Sequence, residues 1–207
     1  MNGLFQSITI HTIVNVWLCL IFSAKLNFRF ILKFKNISRQ VIILGFISFF
    51  TDFASEMLYP VAPIFLTGSL GASMAVVGLI EGFAEIIAGI LKGYFGHLSD
   101  KIGKRSIFVV LGYGLSSIIK PLPGFLPNIL TVGLSRGLDR VGKGIRTSPR
   151  DALLAANANE NTGAVFGFHR SMDTFGAVAG PFAALSILYF VPGEYTFVYF
   201  AALIPSI

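Results

Sequence analysis

The sequence predicts an all-α membrane protein with five complete spans and a truncated sixth, and three observations carry that expectation. First, apolar residues make up 54% of the 207 and charged residues only 13%, with mean hydropathy +0.76. Soluble domains carry about a quarter charged residues. A chain of this length cannot bury so much apolar surface in one aqueous core, because surface-to-volume scaling limits the buried fraction. Second, the apolar residues fall in runs near the ~20 residues that cross a bilayer as a helix. Lipid offers the backbone no hydrogen bonds, which selects helices over other spanning structures. Third, the basic residues gather in alternate loops.

Residues 1–40 form an N-terminal extension. The run 8–24 is either an extra crossing or an interfacial helix, and LNFRFILKFKNISRQ after it is basic and amphipathic. No Lys or Arg precedes that run and no small-residue cleavage site follows it, which excludes a secretory signal. Trp17 is an interfacial anchor, and the lone Cys19 excludes an intrachain disulfide framework. The remaining domain, 41–207, holds spans at 41–66, 72–95, 106–126, 128–144 and 162–191, joined by short loops that force antiparallel neighbours. The fifth is longer than a bilayer requires, so its first turns project into the cytoplasm. A sixth begins near Tyr195, and only 13 residues follow Glu194.

Lys25, Arg29, Lys33, Lys35 and Arg39 precede the first span. Lys101, Lys104 and Arg105 lie between the second and third, and Lys143, Arg146 and Arg150 between the fourth and fifth. The opposite loops hold only Lys120 and Glu194. Positive loops stay in the cytoplasm, so this alternation orients a multi-pass protein of the cell (plasma or inner) membrane. The net charge of +6 is thereby accounted for without nucleic acid.

One stretch suggests something else. GLDRVGKG, residues 137–144, has the glycine and lysine spacing of a phosphate-binding loop. Such a loop needs Ser or Thr after its lysine to ligate magnesium, and a strand before it. Gly144 stands there instead, and the segment belongs to span four.

The loop after span two reads GHLSDKIGKRS. Gly96, Asp100, Lys101, Gly103, Lys104 and Arg105 resemble the signature loop of the major facilitator superfamily, placed between the same spans and on the same side. In physical terms, Gly96 permits close helix approach, Asp100 has an arginine or a helix N-terminus to pair with, and the basic residues meet anionic headgroups. In GAVAGPFAAL, Gly176 and Gly180 form a small-xxx-small face and Pro181 removes a backbone hydrogen bond. This is either a helix-packing kink or, by resemblance, an antiporter element whose later glycines are replaced by Ala183 and Ala184. DFASEMLYP, LDRVGKGIRTSPRDAL and FGFHRSMDTFGAVAGP are similar to a prokaryotic subgroup of the superfamily described as efflux permeases, over about residues 40–207. The resemblance implies a major-facilitator-type helical bundle and, for this chain, its N-terminal half.

Charges at membrane depth are costly and are functional candidates by default. Asp52 and Glu56 share a face of span one, as Glu81 and Glu85 do of span two. Arg136, Asp139, Arg140 and Lys143 form one stripe on span four, and span five adds His169, Arg170 and Asp173. A carboxylate in low dielectric resists ionisation and can exchange a proton. Asp52 and Glu56 are the proton-coupling candidates; Arg136, Asp139, Glu81, Glu85 and Asp173 are substrate or coupling candidates. For Arg136 and Asp139 a mutual ion pair is the competing reading. Arg140, Lys143 and Arg170 join the signature loop as a cytoplasmic gate. His169 reads as a satisfied polar residue; no metal set, cofactor site or nucleophile–base pair appears.

The resemblance implies secondary active transport of a small-molecule substrate by alternating access, as proton-coupled efflux. Its partners would be protons, the lipid bilayer and a second six-helix half. The alternatives are an uptake carrier for an organic anion, motivated by Arg136 and Arg140, and a non-transporting membrane interaction protein or inactive fragment.

Overall fold

In the computed structural model, which describes residues 37–158 and 161–206, Ser38 opens the first helix by accepting a hydrogen bond from the Val41 amide. Helix α1 (Arg39–Leu58) runs until Pro60, which has no amide hydrogen to continue the ladder. A short helix α2 (Val61–Ile64) and a π-helical turn (Phe65–Ser69) complete the first span. Ser73 caps α3 (Met74–Ile102), and Gly103 ends it in the left-handed region, φ 71°, donating its amide to the Ser99 carbonyl. A side chain would be strained there, so the signature-loop glycine is a helix stop. Helix α4 (Arg105–Ile119) breaks at Pro121 into α5 (Leu122–Phe125).

Asn128 and Thr131 form a reciprocal capping box at the start of α6 (Ile129–Ala156). Helix α7 (Thr162–Phe190) contains Pro181 without interruption, and α8 (Tyr195–Ala201) and α9 (Leu203–Ser206) follow. Among the described residues the secondary structure is helical throughout. The expectations for residues 8–24, Trp17, Cys19, Lys25, Arg29, Lys33 and Lys35 lie outside the described residues.

The first, second, third and fifth spans are long and apolar enough to cross a membrane. Helix α6 is long enough but carries too many charges to qualify on composition. It also corrects the expected end of span four at Gly144. The helix continues for three further turns, so Arg146 and Arg150 lie in it and not in a loop. A crossing-length rule stops near the ~30 Å of hydrocarbon, whereas 28 helical residues extend to about 42 Å.

Helix α6 packs on α3 and α4, and α1 packs on α7. Glycines set both approaches. A Cβ at Gly176 would lie 2.6 Å from the Phe49 carbonyl oxygen, and one at Gly180 would lie 2.5 Å from that of Phe53. The contacts advance four residues on both helices, so α1 and α7 run parallel in one register. On α6, a Cβ at Gly142 would strike the Gly112 carbonyl oxygen at 2.6 Å, and one at Gly144 would meet Leu91 Cβ at 2.8 Å. GLDRVGKG is therefore mid-helix, with two of its glycines serving as seats for neighbouring helices.

Large apolar side chains face outward along α3, α4 and α7, among them Phe83, Ile90, Val110, Ile118 and Phe182. An apolar core of Met57, Leu58, Val61, Phe65, Val132, Val198 and Tyr199 fills one end of the bundle. The other end is polar inside.

Gly180→Ala should open the α1–α7 seam at a cost of about 1–3 kcal/mol from overpacking. Its melting temperature in detergent should fall by several degrees. Gly137→Ala, whose Cβ meets nothing within 4 Å, should not lower it. Equal midpoints for the two variants would refute the seam.

Candidate functional site

The charged interior is built around α6, in levels set by its helical rise. At the first level the Arg136 guanidinium donates through Nε to Glu81 Oε1 at 2.7 Å and through Nη2 to Oε2 at 3.0 Å. This fork is the strongest geometry available to an arginine and a carboxylate. The Tyr59 ring lies 5.2 Å from the same guanidinium. One turn on, Arg140 pairs with Glu85 at 3.0 Å. Residues one turn apart on α3 thus meet residues one turn apart on α6, and the two helices run parallel.

Asp139 turns to the other flank of α6. Its carboxylate lies 3.6 Å from Lys120 Nζ and accepts from the Ser55 hydroxyl at 3.5 Å. Lys120 is only 1% exposed and also donates to the Thr51 carbonyl at 3.3 Å. Two expectations are corrected here. Arg136 and Asp139 do not pair with each other, because facing helices offer each a better-placed partner. Lys120 is not a loop residue; it sits inside the bundle at the end of α4, where Pro121 turns the chain.

The next level centres on Arg146, 2% exposed. It donates to the Ser116 hydroxyl at 2.8 Å, lies 4.6 Å from the Tyr113 ring centroid, and reaches Asp52 at 3.7 Å. Below it Asp173 collects Arg150 at 3.8 Å, His169 Nδ1 at 3.4 Å and Arg170 at 3.8 Å. Arg150 also donates to the Ser48 hydroxyl at 3.3 Å and to Asp151 at 3.0 Å.

Between α1, α3, α6 and α7 these levels border a cleft of about 470 Å³. Its walls carry the acids Asp52, Glu56, Glu85 and Asp173 and the bases Lys92, Lys143, Arg146, Arg150 and Arg170. That volume and polarity suit a small charged or polar solute. The structure brings Asp52, Glu56, Glu85, Asp173, Lys143 and Arg170 to the cleft and leaves Arg136, Asp139, Arg140 and Glu81 outside its lining. The expected single stripe on span four is divided: Arg136 and Arg140 turn to α3, Asp139 to α1 and α4, and Lys143 to the cleft.

The signature loop lies at the end of α3. A Cβ at Gly96 would stand 3.0 Å from Ser148 Cβ, Asp100 accepts from Arg105 at 2.8 and 3.1 Å, and Lys101 and Lys104 are exposed. Sequence reasoning missed Lys120, Arg146 and Arg150 as interior groups. For the arginines the signal was partly present: Arg146 and Arg150 follow Asp139 at the helical spacings of seven and eleven, but Gly142, Gly144 and Pro149 between them read as a helix end.

The family profile described as Major Facilitator Superfamily matches residues 44–205. The chain is 42% identical over 163 residues to an uncharacterized MFS-type transporter of Methanocaldococcus jannaschii, covering 79% of this chain and 40% of that protein. It is 28% identical over 158 residues to the uncharacterized MFS-type transporter YqjV of Bacillus subtilis, covering 74% and 37%. To a multi-drug resistance efflux pump PmrA homolog of Lactococcus lactis it is 24% identical over 163 residues, covering 76% and 40%. The chain thus spans about two fifths of the length of these relatives.

Breaking the Lys120–Asp139 pair on one side strands a buried charge, at about 3–5 kcal/mol. Asp139→Leu should lower the melting temperature sharply, and adding Lys120→Met should restore most of it. If the double variant were no more stable than Asp139→Leu alone, the two groups would not be energetic partners.

Proposed function

The chain belongs to the Major Facilitator Superfamily, and from that membership we propose that it forms the N-terminal half of a proton-coupled exporter of a small solute. The family is one of membrane transporters and not of enzymes, and the chain is a multi-pass membrane protein. In this reading residues 41–207 join a second six-helix half in the cell membrane, with the cleft on the shared face. Alternating access then exposes the cleft to each side in turn.

The observation that supports proton coupling is the Asp52–Arg146 contact of 3.7 Å on the cleft wall, with Glu56 one turn along the same face. Protonating Asp52 removes the countercharge of a buried arginine, which must then recruit a new anion or shift towards Ser116. Uptake of a proton is in this way linked to a rearrangement of α1 against α6. Arg136, Asp139, Glu81, Glu85 and Asp173 hold the surrounding charges in place. The Gly96–Arg105 segment, with Arg140, Lys143 and Arg170, latches the end that carries the basic loops. Export as the direction draws support from the name of the Lactococcus relative and from the GAVAGP element. Uptake of an organic anion is the second reading, favoured by five cations against four anions on the cleft wall.

Cells expressing the complete transporter should tolerate at least one compound of a growth-inhibitor panel better than control cells. A protonophore or Asp52→Asn should abolish that tolerance. Tolerance that survives Asp52→Asn would remove Asp52 from the coupling step. Inward accumulation of an organic anion that is lost with Lys143→Ala would favour uptake instead.

A further inference from the structure

The charges on the cleft wall are not all satisfied. Asp52, Glu85 and Asp173 each have an arginine within reach, at 3.7, 3.0 and 3.8 Å. Glu56, Lys92 and Lys143 line the same space, and their side chains have no ion pair or hydrogen bond among the described residues. Their positions are fixed by the helix seams. Ser148 donates to the Lys92 carbonyl at 2.9 Å, and Gly144 packs against Leu91 and Ala88, so Lys92 and Lys143 flank the α3–α6 seam about one turn apart. Across the cleft α1 runs opposite to α6, with Ser48 against Arg150 and Asp52 against Arg146. Ser55 meets Asp139 at 3.5 Å further along the same antiparallel pair, so Glu56 stands about one turn along the cleft from Lys143.

We propose that the cleft binds a zwitterionic solute, with its anionic group on Lys92 and Lys143 and its cationic group on Glu56. The inference rests on the reading of the cleft as the solute's path and supplies the substrate class. Two lysines on one wall and a carboxylate on the other, with open volume between, present a charge dipole that a molecule of opposite polarity completes. A purely anionic solute would leave Glu56 facing it, and a purely cationic one would leave both lysines. Either mismatch sets a like charge against the solute at membrane depth, whereas a solute bearing both signs meets an opposite charge at each end.

The test is binding by the purified complete transporter in nanodiscs, without any proton gradient. Alanyl-alanine and phenylalanyl-phenylalanine are each offered as the free zwitterion, the N-acetylated anion and the C-amidated cation. In whichever set binds, the zwitterion should bind about tenfold or more tightly than either blocked form, the factor expected for one charge-assisted contact. Lys143→Met should weaken the zwitterion and the anion about tenfold and leave the cation unchanged, while Lys143→Arg retains affinity. Glu56→Gln should do the reverse. Blocked forms that match the zwitterion, no binding in either set, or single-charge variants that weaken all three forms equally would each overturn the assignment. Because no gradient is used, coupling that survives Asp52→Asn with zwitterion preference intact would sink proton exchange at Asp52 and leave the substrate class standing.

Discussion

Helix α6 carries Arg136, Arg140, Arg146 and Arg150 at 5, 8, 2 and 5% exposure, and the placement of its neighbours follows from that burial. A guanidinium cannot shed its charge, so each must be given an anion or a polar partner inside the bundle. The partners come from four helices: Glu81 and Glu85 on α3, Ser116 on α4, Asp52 and Ser48 on α1, and Asp173 on α7. In lipid, apolar contact selects weakly between neighbours, because the tails are as apolar as the side chains. Ion pairing selects strongly, because a cation facing hydrocarbon or a wrong helix is left uncompensated. The charged helix is thus the one element whose surroundings could hardly be otherwise.

Ion pairs reach only a few ångströms, so backbones must first come close. Gly142 and Gly112 bring α6 against α4 where Arg146 meets Ser116. Gly144 brings α6 against α3 one turn beyond the Arg140–Glu85 contact. Gly176 and Gly180 do the same for α7 on α1, which puts Asp173 beside Ser48 and Arg150. Glycine seams and charged contacts therefore alternate along the same interfaces, and loss of either element loosens the other.

Much of this fold is written in apolar run length and in the loop charges, and the helices begin within a few residues of where those features put them. Two things were not legible. The end of α6 is hidden because Lys143, Arg146 and Arg150 look the same in a cytoplasmic loop as along a helix face; only the partners of the two arginines on α1, α4 and α7 tell the two apart. Lys120 is hidden for the opposite reason. A lysine before a proline after an apolar run reads as a chain leaving the membrane, and its carboxylate partner, Asp139, is remote in sequence. For the site, the acids of α1 and α3 were visible as i, i+4 pairs within apolar helices. Which of them meet an arginine and which, like Glu56, have no ion pair among the described residues depends on inter-helix register, to which local spacing is blind.

The contact distances divide the bundle into tight and loose joints. Within the parallel pair α3–α6 the charged contacts are 2.7–3.0 Å. Between α1 and α6 they are 3.3–3.7 Å: Ser48–Arg150, Ser55–Asp139 and Asp52–Arg146. Helices α1 and α7 are locked to each other by glycine contact, so the looser polar joint separates two parallel pairs and not single helices. The cleft lies along that joint, and at the far end the apolar core around Met57, Phe65 and Tyr199 ties α1 to α8. Apolar packing at one end and a polar, ion-paired seam at the other leave the cleft bordered by the longer of the charged contacts. A charge that enters or leaves the cleft acts on that joint directly, because the groups it must satisfy are the same groups that hold the two pairs together.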